Sequence, residues 1–91
     1  MYSNDELSIP ELKIKIKGPR ENALEIDIHD TAIVRELKEK IANETRSREE
    51  WEFYEAENQR IIFNATELTD DDKRILDYNL TNGSVLHFGK N

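Results

Sequence analysis

Few residues of this 91-residue chain are of types that could carry out catalysis. Cysteine is absent, which excludes a thiol nucleophile, a disulfide framework and a thiolate zinc site. The remaining candidates for a nucleophile or a base are His29, His87, Ser3, Ser8, Ser47 and Ser84. None of them stands in a nucleophile elbow, a phosphate-binding loop or a zinc-protease motif. We therefore expect a protein that is not an enzyme and that needs no cofactor.

The acidic run from Asp70 to Asp72 is the other feature with metal-binding chemistry. A calcium loop needs acidic residues at alternate positions, a central glycine and a distal glutamate. The three aspartates are adjacent and lack this spacing, so the run predicts a solvated loop and no metal site. His29 is interpreted in the same way, as a surface residue on the outer face of a strand.

The charge balance limits the partners. Thirteen basic and 20 acidic residues give a net charge of -7, which repels phosphate backbones and anionic lipid. Nucleic acid and membrane surfaces are therefore not expected as partners, and no apolar run approaches the roughly 18 to 20 residues of a membrane span. The acidic N-terminus lacks the pattern of an export signal. We expect a cytoplasmic and/or nuclear location.

The elements that would position these residues begin with two alternating runs. Residues 1–11 are polar and acidic and are predicted to form a flexible tail, with a single domain over 12–91. Apolar and charged residues alternate from Leu12 to Lys17 and again from Leu24 to His29, which predicts two strands. Their outer faces carry opposite charges, which favours a hairpin.

After the hairpin, the hydrophobic period changes to that of a helix of about three turns. Asp30 and Thr31 can each cap its N-terminus. The apolar stripe would consist of Ile33, Leu37 and Ile41, flanked by Val34. The spacing also allows i,i+4 ion pairs on the solvent side, namely Arg35 with Glu39 and Glu36 with Lys40.

The second half of the chain is less periodic. Residues 43–59 form an acidic segment around Trp51, Phe53 and Tyr54, whose secondary structure the pattern does not assign. A β-prone run from Arg60 to Phe63 follows, and the Asn82-Gly83 turn signal precedes a last strand ending at Phe88. The element order is ββαβ(β)β. The predicted common core consists of Ile14, Ile26, Ile28, Leu37, Ile41, Ile61, Leu68 and Leu86.

Strand parity predicts which residues face away from this core. In the last strand, burial of Leu86 and Phe88 sends Val85 and His87 to the opposite face, and burial of Ile61 does the same to Ile62. Ile62 could be a single exposed isoleucine, which needs no explanation. Alternatively, it is the centre of a small apolar patch. The patch would contain Ile62, His87 and Ala65, with a basic rim of Arg60 and Lys17.

Several stretches resemble ubiquitin and the ubiquitin-like domains over about residues 12–89. They are Gln59-Arg60-Ile61-Ile62-Phe63, Leu68, Leu76-Asp77-Tyr78-Asn79-Leu80 and Val85-Leu86-His87-Phe88. The resemblance implies an α+β fold of the β-grasp type, in which a mixed sheet packs on one helix. It also implies a non-enzymatic, monomeric protein-protein interaction module of the ubiquitin-proteasome pathway.

The resemblance implies a binding face as well. The family uses the face with the central isoleucine and histidine to bind helical and small-domain partners, such as proteasomal ubiquitin receptors, ubiquitin-interacting helices and UBA-type domains. The corresponding partner-binding residues here are Ile62, His87, Arg60, Lys17, Ala65 and Gly89. Gly89 takes the place of an apolar residue of the family's patch.

Three departures from ubiquitin set the remaining alternatives. The segment between Ile41 and Gln59 is longer by several residues, Thr66 replaces a chain-forming lysine, and Gly89-Lys90-Asn91 stands where the family has a Gly-Gly tail. These departures predict a non-conjugating domain within a longer protein, as in ubiquilin-like shuttle factors. The alternatives are a modifier whose Gly-Gly tail is missing from this sequence, and a scaffold domain that binds through residues 43–59. In that segment Trp51, Phe53 and Tyr54 would either pack under the loop or anchor a second partner surface.

Overall fold

The computed structural model describes residues 11–18, 21–49, 51 and 54–90, with Lys90 described by its backbone alone. The strands are Glu11–Lys17 (β1), Ala23–His29 (β2), Gln59–Phe63 (β3), Thr66–Glu67 (β4) and Val85–Lys90 (β5). The α-helix is Val34–Thr45 (α1), and short 3₁₀ helices are formed by Ala56–Asn58 and Ile75–Tyr78. The tail predicted for residues 1–11 lies outside the described residues except for Glu11, which is the first residue of β1 and pairs with His29.

The strands form one mixed sheet in the order β2-β1-β5-β3-β4. β1 and β5 are parallel, whereas β1 with β2, β3 with β4 and β3 with β5 are antiparallel. Since α1 packs on one face of this sheet, the predicted β-grasp architecture is confirmed. The other face is left to the solvent.

The β1–β2 hairpin, which the opposite charges of the two outer faces favoured, places these charges at facing positions. Lys13 lies opposite Asp27, and Lys15 lies opposite Glu25. Opposite charges at facing positions of an antiparallel pair contribute about 0.2 to 1 kcal/mol. The intervening Ile14 is fully buried, so each residue of the strand is either in the core or in the charged outer layer.

The core lies between the sheet and α1. All eight residues predicted for it are buried, which confirms that prediction. Alternation along the strands was a sufficient signal because burial in β1 and β2 changes strictly from one residue to the next. The cluster also contains Ile16, Leu24, Val34, Trp51, Ile75, Leu80 and Phe88.

The start of α1 differs from the prediction. The N-cap residue is Ile33, and neither Asp30 nor Thr31 caps the helix. The backbone N–H of Ile33 donates to Oε1 of Glu36 at 3.1 Å. Ile33 therefore precedes the helix. Val34 is buried in the position of the apolar stripe that was predicted for Ile33.

The acidic run Asp70 to Asp72 has a structural role that the prediction of a solvated loop missed. The backbone N–H of Val34 donates to the carbonyl of Lys73 at 2.9 Å, and that of Arg35 donates to the carbonyl of Asp71 at 3.0 Å. The first N–H groups of a helix have no partner within the helix. Here the carbonyl groups of a loop distant in sequence supply these partners.

A side chain of the same loop replaces the predicted i,i+4 pair of Arg35 with Glu39. Asp72 Oδ1 lies 2.7 Å from a guanidinium nitrogen of Arg35, so Arg35 pairs with the loop and not with Glu39. Asp71 Oδ1 lies 2.9 Å from Nζ of Lys38, whose side chain is only 8% exposed. The Lys38 ammonium is therefore held in a nearly buried ion pair at the junction of helix and loop.

Candidate functional site

The solvent-facing side of the sheet brings the main predicted binding residues into one row. Lys17 of β1 is in register with His87 of β5, and His87 is in register with Ile62 of β3. The row continues to Ala23 on β2 and to Glu67 on β4. It crosses the whole sheet, and because neighbouring strands lie about 4.8 Å apart, each side chain can contact the next.

Ile62 and Val85 supply the apolar surface of this face. Ile62 is half-buried, while its neighbour Ile61 is fully buried on the helix side. Val85 is 38% exposed and is in register with Lys15, next to the row. The sequence prediction placed Val85 on the same face but left it out of the patch; its parity with His87 was the available signal.

Arg60, predicted for the basic rim of the patch, is paired with an acidic neighbour. Nε of Arg60 lies 3.2 Å from Oε1 of Glu67, and their side chains are 52% and 33% exposed. The charge of Arg60 is therefore compensated by a neighbour on the same face. The sequence prediction missed Glu67 because it assigned no separate strand to the two residues of β4.

Ala65 and Gly89 lie at the margin of the row. Ala65 and Asn64 form the tight turn between β3 and β4 with φ of 66° and 54°, the geometry of a type I′ hairpin turn. Ala65 is exposed just beyond the end of β3. Gly89 is in register with Arg60, and a Cβ added to it would meet no heavy atom within 4 Å. The face is therefore open at Gly89.

The aromatic segment contributes to the core through Trp51. Trp51 is 5% exposed, and its ring centroid lies 5.6 Å from that of Phe88. The ring of Tyr54, which is half-buried, lies 5.7 Å from the same phenylalanine. Packing under the loop is thus what the structure shows for Trp51. Phe53 lies outside the described residues.

Gln59 holds the end of this segment against the helix. Its buried side-chain amide donates from Nε2 to the carbonyl of Lys38 at 2.8 Å and to that of Tyr54 at 3.1 Å. The exposed residues that follow Tyr54 include Glu55 and Glu57, which give this surface a negative charge. The segment is therefore docked on the domain through Trp51 and Gln59.

Two of the residues considered for catalysis, His29 and Ser84, interact with neighbouring residues of the fold. His29 Nδ1 lies 3.9 Å from Oε2 of Glu11, and both side chains are about half exposed. The hydroxyl of Ser84 accepts a hydrogen bond from the backbone N–H of Thr81 at 2.8 Å, which closes the turn before β5.

Within the described ranges, no cluster of three or more His, Cys, Asp or Glu residues is placed to hold a metal ion. No helix in that part of the chain is long and apolar enough to cross a membrane.

Comparison with known families supports the geometry of this fold. The profile of the ubiquitin family matches residues 12–89, which includes every strand and the helix except for the ends of β1 and β5. The chain belongs to the ubiquitin family. Ubiquitin-like domains are generally non-catalytic and generally bind proteins.

Solved structures with the same fold include other domains of this family. The ubiquitin-like domain of the Arabidopsis thaliana protein At2g32350 is 17% identical, with a TM-score of 0.79 over 99% of this chain and 87% of that one. The UBL domain of Plasmodium falciparum Dsk2 is 21% identical, with a TM-score of 0.76 over 90% and 100% of the two chains. A designed protein based on ubiquitin is 28% identical, with a TM-score of 0.71 over 88% of each chain.

Proposed function

We propose that this ubiquitin-like domain is a non-enzymatic module that docks its host protein on ubiquitin-binding partners through the sheet face. The observation that carries this proposal is the row in which Lys17, His87 and Ile62 lie side by side on adjacent strands. Val85 extends the apolar surface next to this row. An apolar centre with polar groups around it is typical of a protein-binding surface.

The size of the face sets the expected strength of binding. Ile62 and Val85 are the apolar residues at its centre, and both are only partly exposed. We expect an interface at or below the low end of the usual range, under about 1,200 Å² in total, which corresponds to weak and transient association. Such binding suits a module that docks and releases its host.

The expected partners follow from family membership. We infer that they are proteasomal ubiquitin receptors, ubiquitin-interacting helices or UBA-type domains, within the ubiquitin-proteasome pathway of the cytoplasm and/or nucleus. The same isoleucine and histidine that the resemblance to ubiquitin assigns to binding lie in register on the open face. The acidic surface around Glu55 and Glu57 would repel an acidic helix, which favours the sheet face over the aromatic segment.

An NMR titration of the domain with a ubiquitin-interacting helix tests this proposal. The backbone amide shifts should concentrate on β5 and β3 around His87 and Ile62, together with the end of β1 at Lys17. The substitution Ile62→Ala should reduce the shifts and weaken the binding.

Leu76→Ala provides the control for that titration. Leu76 is another large exposed apolar residue, at 40% exposure, but it lies in a 3₁₀ helix outside the row. Its truncation should leave the affinity unchanged. Shifts confined to the region of Trp51 to Tyr54, or equal effects of the two substitutions, would contradict the proposal.

A further inference from the structure

The cations of the sheet face differ in how far their charge is already compensated. Lys13 and Lys15 each lie opposite an acidic residue of β2, Asp27 and Glu25. The guanidinium of Arg60 is paired with Glu67, as described above. The neighbours of Lys17 in its row are not acidic residues.

Lys17 is therefore the cation with the least compensation on this face. Its register partner on β2 is Ala23, and its partner on β5 is His87. Its side chain is exposed. Across residues 11–18, 21–49, 51 and 54–90 none of Lys13, Lys15 and Lys17 forms an ion pair, but Lys17 alone of the three lacks an acidic residue opposite it on β2. A carboxylate from a partner could pair with Lys17 without displacing an existing contact.

Glu67 gives the opposite end of the row a negative charge. It is in register with Ile62 and holds Arg60 on the side of β4. The row thus runs from the ammonium of Lys17, across His87 and Ile62, to the mutually compensated pair of Glu67 and Arg60. An acidic flank of a partner would therefore find a net positive charge at the Lys17 end and none at the Glu67 end.

The distance from Lys17 to Glu67 across the sheet is slightly more than the width of a helix. Lys17 and Glu67 are three strands apart, which is about 14 Å at the usual spacing between strands. An α-helix with its side chains is about 10 to 12 Å wide. A helix seated between His87 and Ile62 would place one flank towards Lys17 and the other towards Glu67.

We propose that Lys17 is the charge anchor of this face and that Glu67, by neutralising Arg60, makes the face select helices that are acidic on one flank only. This inference rests on the proposed function of the sheet face. The partner class is an amphipathic helix with a carboxylate beside its apolar stripe on the flank over Lys17. Its other flank, over Glu67, carries neutral or basic residues.

Affinities of three synthetic helices for five variants test the inference. The helices share one apolar stripe, and one flank carries glutamates in the first and glutamines in the second. With the glutamate helix at low salt, Lys17→Ala should weaken binding about 1.5 to 5-fold, the range of one exposed ion pair. Arg60→Ala should change it less than about 1.5-fold, because Glu67 already neutralises Arg60.

Glu67→Gln gives the sharper result because it predicts a gain. With a third helix that carries glutamates on both flanks, it should raise affinity about 1.5 to 5-fold by releasing Arg60, and Arg60→Ala in that background should remove the gain. The effects should shrink with the glutamine helix and at high salt, where exposed charges are screened.

Ile62→Ala separates failure of this inference from failure of the proposed function. If Ile62→Ala leaves the affinity for the glutamate helix unchanged, or if none of the helices binds, the sheet face is not the binding site and both proposals are wrong. If Ile62→Ala weakens binding but Lys17→Ala does not, only the charge anchor is wrong. An equal loss for Lys17→Ala and Arg60→Ala, or no gain from Glu67→Gln, would also overturn it.

Discussion

Gly18 is a residue at which the fold requires the absence of a side chain. It follows β1 and lies directly against the buried ring of Trp51, so a Cβ built on it would lie 2.4 Å from Cζ3 of the indole. The ring cannot move aside freely, because it is buried and packs on Phe88. This contact explains how the aromatic segment is fixed to the start of the hairpin loop.

Gly18→Ala is therefore expected to destabilise the domain. Overpacking of this kind costs about 1 to 3 kcal/mol in the free energy of unfolding. Gly89→Ala is the matched control, since its Cβ meets nothing within 4 Å, and it should change stability by no more than about 0.5 kcal/mol. Urea unfolding of both variants measures the difference. Equal stabilities would show that Trp51 does not pack on Gly18.

At the residue scale, the sequence predicted the positions that depend on strand parity alone. Ile62 and His87 were placed on one face because the alternation of buried and exposed residues has a period of two. The pairing of Arg60 with Glu67 was not predictable in the same way. It depends on the two-residue turn at Asn64 and Ala65, where both residues adopt positive φ without a glycine to signal it.

At the scale of elements, the helix is held by its apolar stripe. Leu37 is fully buried in the middle of α1, between the helix and the sheet. Leu37→Ala should lower the free energy of unfolding by about 2 to 5 kcal/mol, because it leaves a cavity. Glu39→Ala, on the exposed side of the same helix, should cost no more than about 0.5 kcal/mol. A loss below about 0.5 kcal/mol at Leu37 would contradict the packing of the helix.

The loop that caps α1 offers a second test at the same scale. Asp71 pairs with the nearly buried Lys38, while the neighbouring Asp72 pairs with an Arg35 side chain that is 49% exposed. Asp71→Asn leaves a buried ammonium without its counter-charge and should cost about 1 to 3 kcal/mol. Asp72→Asn should cost less than about 1 kcal/mol, because exposed ion pairs contribute little. Similar losses in thermal or urea unfolding would contradict a special role for Lys38.

The hairpin and α1 show which features of the elements could be predicted from the sequence and which could not. The hairpin and the helix stripe were predictable because their hydrophobic periods are local and complete. The prediction of how α1 begins was wrong. The first N–H groups of the helix donate to the carbonyls of residues 71 and 73, which lie far along the chain. Local capping rules favoured Asp30 and Thr31, whereas tertiary contact with the loop decided the outcome.

For the whole molecule, the proposed binding face and the hydrophobic core lie on opposite faces of the same strands. Ile61 faces α1 and is fully buried, while Ile62 faces the solvent in the row with His87. The chain has a net charge of -7, yet Lys13, Lys15 and Lys17 of β1 line the solvent face of the sheet. Since Lys13 and Lys15 face Asp27 and Glu25, the Lys17 end of this strand is where an acidic partner can be attracted that the rest of the surface repels.

The most direct test of this assignment measures affinity and stability together for Ile62→Ala and Ile61→Val. Ile62→Ala should weaken binding of a ubiquitin-interacting helix about five to thirtyfold, while costing about 1 kcal/mol of stability or less. Ile61→Val should cost about 0.5 to 1.5 kcal/mol of stability and leave the dissociation constant within about twofold. An unchanged dissociation constant for Ile62→Ala in a folded domain would contradict the sheet face as the binding surface.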